Sequence, residues 1–176
     1  IISCMAGVLI ENLSNKLNTN KIVRIMPNVM AKSNKSQTYL FSKNKSLINT
    51  NLKKLLSPLG ILIVASKEDQ MNLATSVYGS GPAFVAFLIN AYITAAKEIS
   101  KTNQIKETHV LDLIKSVLEV NHSSRDLTNF ISSIASKKGT TQAGVKYLES
   151  QKIKKTLYTT LLRAYKRARE LSIEAK

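Results

Sequence analysis

The stretch "GSGPAFVAFLINAYITAA", residues 79–96, divides the chain in two. Gly79 and Gly81 interrupt what precedes them. Pro82 suits the first turn of a helix, where its missing N–H would have no partner anyway. From Ala83 onward the run is apolar at nearly every position, broken only by Asn90 and Thr94. A helix of that kind must be covered on all sides, because no polar face is left for water. It falls short of the roughly 18–20 apolar residues that span a bilayer. The expectation is therefore a buried helix and no membrane anchor.

Upstream the pattern alternates between strand and helix. "IIS" reads as a strand end, "GVLIENLSNKL" as a helix, "KIVRIMP" as a strand stopped by Pro27, and "SQTYLFS" as a strand alternating around Thr38 and Leu40. "LINTNLKKLLSPLG" follows as a helix closed by Pro58 and Gly60. "ILIVAS" is a near-continuous apolar strand that calls for cover on both faces. This is the rhythm of an α/β layer with too few elements to complete a doubly wound sheet. A chain opening "IISCMAGV" begins in what reads as mid-strand, so it is expected to be the back part of something longer.

Downstream of about residue 73 the strands stop. One helix carries Val110, Leu113, Ile114 and Val117, and a shorter one carries Leu127, Phe130, Ile131 and Ile134. A long final helix places Ile153, Leu157, Leu161, Ala164, Ala168 and Leu171 in one stripe. The expected fold class is α/β followed by all-α, with an α/β part at 1–72 and a helical part at 73–176. The all-apolar helix needs more cover than this half supplies, so a second copy of the chain is expected to provide it as a homodimer.

Composition narrows the function. Twenty-six Lys and Arg against eleven Asp and Glu give a net charge of +15, which raises nucleic acid as a partner. The lysines are scattered, however, with no arginine-rich arm, zinc-finger spacing or aromatic ladder, so nucleic-acid binding is not the expected function. A single cysteine, Cys4, excludes an internal disulfide and fits a reducing compartment, with the cytoplasm as the expected location. His109 and His122 have no acidic or cysteine partner at ligand spacing, and no metal site is expected. No carboxylate pair stands out as acid and base, so any difficult chemistry would come from a cofactor.

Three loops remain as candidate site elements. "RIMPN", residues 24–28, ends a strand, where open α/β sheets bind ligands. "GSGP" permits close backbone approach. "SKKGTT", residues 136–141, precedes a helix, so its free amides and the positive end of the helix dipole suit a carboxylate or phosphate. Each also has a plain structural reading: a strand-ending proline, a helix-starting proline and an ordinary Ser/Thr cap.

Taken in order, "AGV" (6–8), "RIMPN", "LLSPLG", "GSGPAF", "SKKGTTQAGVKYLE" and "RARELS" resemble pyrroline-5-carboxylate reductase over essentially the whole chain. The resemblance implies reduction of 1-pyrroline-5-carboxylate to L-proline with NADPH or NADH. It also implies the C-terminal part of a Rossmann-like sheet domain followed by a helical dimerisation domain. Ser136, Gly139 and the amides of Thr140 and Thr141 match the positions that hold the substrate carboxylate. The Thr141 hydroxyl matches the group near the ring nitrogen, the one catalytic assignment. Pro27 and Asn28 match residues beside the nicotinamide, with Ala6 and Gly7 near the same cofactor edge.

Where the family has two adjacent glycines, this chain has Lys138 and Gly139, which implies either a side chain blocking the approach of substrate to the backbone or a penalised φ that only glycine tolerates. The family's glycine-rich pyrophosphate turn is absent from these 176 residues, so this chain by itself is expected not to turn over substrate. Two alternatives stay open: a non-enzymatic helical dimer or partner of an intact subunit, and a basic nucleic-acid-binding protein.

Overall fold

The computed structural model describes residues 1–100, 104–120 and 127–174. His122 and Lys101 lie outside them. The described chain forms two compact units: Ile1–Phe84 with Tyr158–Lys176, and Val85–Leu157.

The first unit is built on a four-stranded mixed sheet in the order β1 (Ile2–Ser3), β2 (Val23–Met26), β3 (Ser36–Phe41), β4 (Gly60–Val64). β1 and β2 are parallel, β2 and β3 antiparallel, and β3 and β4 parallel. Three helices belong to this part of the chain: α1 (Ile10–Leu17), α2 (Thr50–Leu56) and α3 (Gln70–Ala74). All four strands expected from the sequence are present, and in β3 Ser36, Thr38 and Leu40 are buried in strict alternation.

One face of the sheet packs Val23, Ile25 and Leu40 against Leu56 of α2, with Leu47, Leu52, Leu59 and Leu62 around them. The other packs Met26 against Ala65, Met71 and Ala74, with Tyr39, Phe41 and Tyr78. Because β2 has cover on both faces, all four of its residues are buried, including Arg24. A buried guanidinium needs a counter-charge. Glu68, just before α3, supplies it at 2.9 Å.

β4 departs from the sequence expectation of cover on both faces. It stands at the edge of the sheet, and its Ile61 and Val64 are exposed. The apolar run is uniform, but β4 is flanked by a strand on one side only, so its side chains have neighbours from β3 and none from a fifth strand.

Beyond the sheet, α3 continues through a π-helical turn at Thr75–Gly79 into α4 (Gly81–Ser100). The second unit holds most of α4, then α5 (Glu107–Val120), α6 (Leu127–Ile134) and α7 (Thr140–Ser150). The last helix, α8 (Ile153–Glu174), begins there and belongs to the first unit from Tyr158 onward.

The expectation that residues 83–96 are buried and too short to span a bilayer needs correction. Gln70–Ser100 forms one helical run of 31 residues, long and apolar enough to cross a membrane by length and composition, and almost none of its most apolar 18-residue stretch is buried within the chain. Ser80, between the two glycines, keeps right-handed helical angles, so the run is longer than the apolar segment suggested. Within α4 only Ile93 is buried, while Val85, Phe87, Leu88 and Tyr92 are exposed. A single chain has too few helices to surround it.

Candidate functional site

The sheet gathers four of the candidate residues at one end. β1 and β2 run parallel and side by side, with Ser3 opposite Arg24, so the segments leaving their carboxyl ends emerge together. Ala6 and Gly7 form the turn after β1, and Pro27 and Asn28 follow β2. This is the end of a parallel pair at which α/β sheets hold ligands.

The local chemistry of the two segments differs. Ala6 is exposed and Gly7 buried. Gly7 adopts φ 75°, in the left-handed region, and a Cβ there would stand 2.6 Å from the Leu171 Cβ. That position accepts glycine alone, for conformation and for space. Asn28 is committed to its own turn: its Oδ1 accepts from the Met30 amide at 2.9 Å, and its amide donates to Ser36 Oγ at 3.0 Å. The side chain thus caps the 3₁₀ turn at Val29–Ser33, which fixes the path of the chain leaving Pro27.

Behind this edge, Glu68 Oε1 accepts from both Arg24 Nη1 at 2.9 Å and the Ile10 amide at 2.8 Å. One carboxylate therefore neutralises the buried arginine and caps the start of α1. Arg24 Nη2 is buried without a hydrogen-bond partner among the described residues. Tyr39 and Tyr78 pair with ring centroids 5.3 Å apart. Burial, and then the Tyr78 hydroxyl, push the Tyr39 phenol above its usual range.

The second set of candidates lies in the other unit. Ser136 precedes a turn in which the Gly139 amide donates to the Ser136 carbonyl at 2.9 Å. Lys138 takes φ 63°, the second of the two alternatives its glycine-like position raised, and its amide donates to Gln142 Oε1 at 2.9 Å. Gly139 is the N-cap of α7, with extended backbone and no side-chain cap. A Cβ on Gly139 would collide with Ser136 Oγ and come within 3.1 Å of the Ser136 carbonyl oxygen. Thr140 and Thr141 open the helix, so their amides are among the N–H groups an α-helix leaves unpaired at its start. Ser136 and Thr140 are exposed and Thr141 half-buried. The structure thus brings Ser136, Gly139, Thr140 and Thr141 together in one turn with free donors, suited to an anion.

Sequence reasoning missed the contacts that hold the first edge from behind. Leu171 stands in the apolar stripe of α8, but no local pattern pairs it with Gly7, or Tyr165 with Asp69. Only the Arg24–Glu68 pair had a hint, since an arginine inside an apolar strand demands a partner.

The geometry is thus an α/β unit with a parallel strand edge and a helical unit with an anion-receptive helix start. Residues 68–171 match the family model described as pyrroline-5-carboxylate reductase dimerisation. The chain is 34% identical to the pyrroline-5-carboxylate reductase of Staphylococcus epidermidis and 32% identical to that of Staphylococcus aureus. Each match takes in 97% of this chain and 64% of the relative, so the chain spans a little under two thirds of their length. The structure resembles a Plasmodium falciparum pyrroline carboxylate reductase with NADP bound, at TM-score 0.83 and 26% identity, covering 97% of this chain and 70% of that one. It also resembles the Streptococcus pyogenes enzyme at TM-score 0.82 and 25% identity, covering 97% and 67%. The chain belongs to the pyrroline-5-carboxylate reductase family.

Proposed function

We propose that the chain carries the substrate and dimerisation portion of an NAD(P)H-dependent reductase that converts 1-pyrroline-5-carboxylate to L-proline. The family membership supports this reading. The observation that carries it is the start of α7, where unpaired amides, two threonines and Ser136 share one turn closed by Gly139.

In this reading the Thr140 and Thr141 amides and Ser136 hold the substrate carboxylate, aided by the helix dipole. The Thr141 hydroxyl lies near the ring nitrogen. Gly139 keeps the Ser136 hydroxyl in place by having no side chain. Ala6, Gly7, Pro27 and Asn28 border the nicotinamide, which supplies the hydride when bound. The chain's own contribution is orientation and charge complementarity, because a protonated imine carbon is already electrophilic.

The division at about residue 72, between a sheet part and a helical part, belongs to the same proposal. A family match beginning at residue 68 supports it. A homodimer in which a second copy, not lipid, covers Phe87, Leu88 and Tyr92 is also part of the proposal, supported by the match to a dimerisation family model. The cytoplasm is the proposed location. Neither alternative raised by the sequence gains support.

The test is a titration of the chain with L-proline and with 1-pyrroline-5-carboxylate, followed by amide chemical shifts. The reading expects shifts centred on Ser136–Gln142, lost in Thr141→Val. Absence of any shift in that turn would overturn it. Turnover of NADPH by these 176 residues alone is not expected, because they contain no glycine-rich pyrophosphate turn.

A further inference from the structure

The C-terminal half of α8 packs on the turn that follows β1, and three contacts hold it there. The Tyr165 hydroxyl donates to Asp69 Oδ2 at 2.7 Å. The buried Ser172 Oγ lies 3.2 Å from Asn72 Oδ1, and Asn72 is itself buried. Between these anchors, Leu171 meets Gly7: a Cβ on the glycine would stand 2.6 Å from the Leu171 Cβ and 2.9 Å from its carbonyl carbon. The turn therefore rests directly on the backbone of α8, with no side chain of its own between them.

We propose that Leu171 is a positioning residue for the Ala6–Gly7 turn, so that α8 sets the nicotinamide-facing edge of the cofactor site. This rests on reading Ala6 and Gly7 as cofactor-edge residues. Gly7 has two constraints that act together. Its φ of 75° aims the chain back toward α1, and its lack of a side chain lets α8 approach. A helix that moves away leaves the turn unsupported, and a side chain at position 7 pushes turn and helix apart. The asparagine and aspartate at the start of α3 are not ligand groups in this arrangement. They fix the height of α8 above the turn.

The amide of Ile10 is a local reporter. It lies just after the turn, and its N–H is held by Glu68 Oε1 at 2.8 Å. In the full chain, Gly7→Ala and Leu171→Gly are expected to speed hydrogen exchange at Ile10 by about tenfold, the response of a local opening and not of global unfolding. Leu56→Ala, which loosens the opposite face of the sheet, serves as the control for general loss of stability. It is expected to leave Ile10 exchange below the global rate unchanged. Equal exchange at Ile10 in all three variants, once matched for stability, would overturn the proposal.

NADPH binding by fluorescence separates the second half of the claim. Weaker binding in Gly7→Ala and Leu171→Gly than in Leu56→Ala supports a positioning role. Faster Ile10 exchange with unaltered NADPH affinity in the same variants overturns that role while leaving the packing contact intact. Absence of NADPH binding by the unsubstituted chain follows already from its lack of a glycine-rich pyrophosphate turn, and Ile10 exchange alone then decides whether Leu171 supports the turn.

Discussion

The Tyr165 hydroxyl donates to the Asp69 carboxylate at 2.7 Å, joining α8 to the start of α3 across 96 residues of chain. Asp69 also faces Arg169, whose Nε is 3.8 Å away, and Asn72, whose amide donates at 3.2 Å. The hydrogen bond from Tyr165 holds the Asp69 carboxyl below its ordinary range, and the same bond pushes the Tyr165 phenol up.

The sign of the pH dependence follows from both shifts. A depressed Asp69 contributes stability that is present above its unfolded value of about 3.9 and lost as pH falls through the folded value. A raised Tyr165 contributes stability that is present below about 10 and lost as pH rises through its folded value. Tyr165→Phe removes both arms. We expect it to cost at most about 1 kcal/mol at neutral pH, since the pair is solvent-accessible. Urea titrations at several pH values should show a smaller difference from the parent chain below pH 4 and above pH 10 than between them.

Lys138 sits at φ 63°, where a side chain costs free energy that glycine avoids. Lys138→Gly is expected to stabilise the chain by about 0.5–1 kcal/mol, net of the added unfolded-state entropy. Lys138→Ala is expected to give no such gain. A thermal melt comparing the two separates backbone conformation from loss of the charge.

Arg24 is 1% exposed and paired with Glu68, which also caps α1. Glu68→Ala leaves a buried guanidinium uncompensated and is expected to cost about 3–5 kcal/mol. Arg24→Met combined with Glu68→Gln is expected to recover much of that loss, because no unpaired charge remains. A double-mutant cycle in denaturant would measure the coupling.

Phe87 is 72% exposed on α4. If a second copy covers it, Phe87→Glu should convert a dimer to a monomer in sedimentation velocity without unfolding the sheet. A chain that is monomeric before substitution would remove the basis for the proposed homodimer.

Much of the fold could be read from local pattern. The alternation of Ser36, Thr38 and Leu40 marked β3, and Pro27 marked the end of β2. The start of α7 was legible too, because glycine and threonine before an apolar repeat is a chemical signal for unpaired amides. Lys138 was readable as strained only through the family resemblance, since nothing local requires φ above zero there. The exposure of Ile61 and Val64 was not readable, because β4 becomes an edge strand only when its neighbours are known.

The sequence by itself therefore determined the elements, their order and the position of the loops after β2 and before α7. These depend on residues within one or two helical turns of each other, and the chain carries that information directly. Tertiary structure alone decided that Leu171 lies on Gly7, that Glu68 serves both Arg24 and Ile10, and that α4 is left bare within one chain. Each depends on where distant segments meet, and close packing sets that through volumes and paired charges spread over the whole unit.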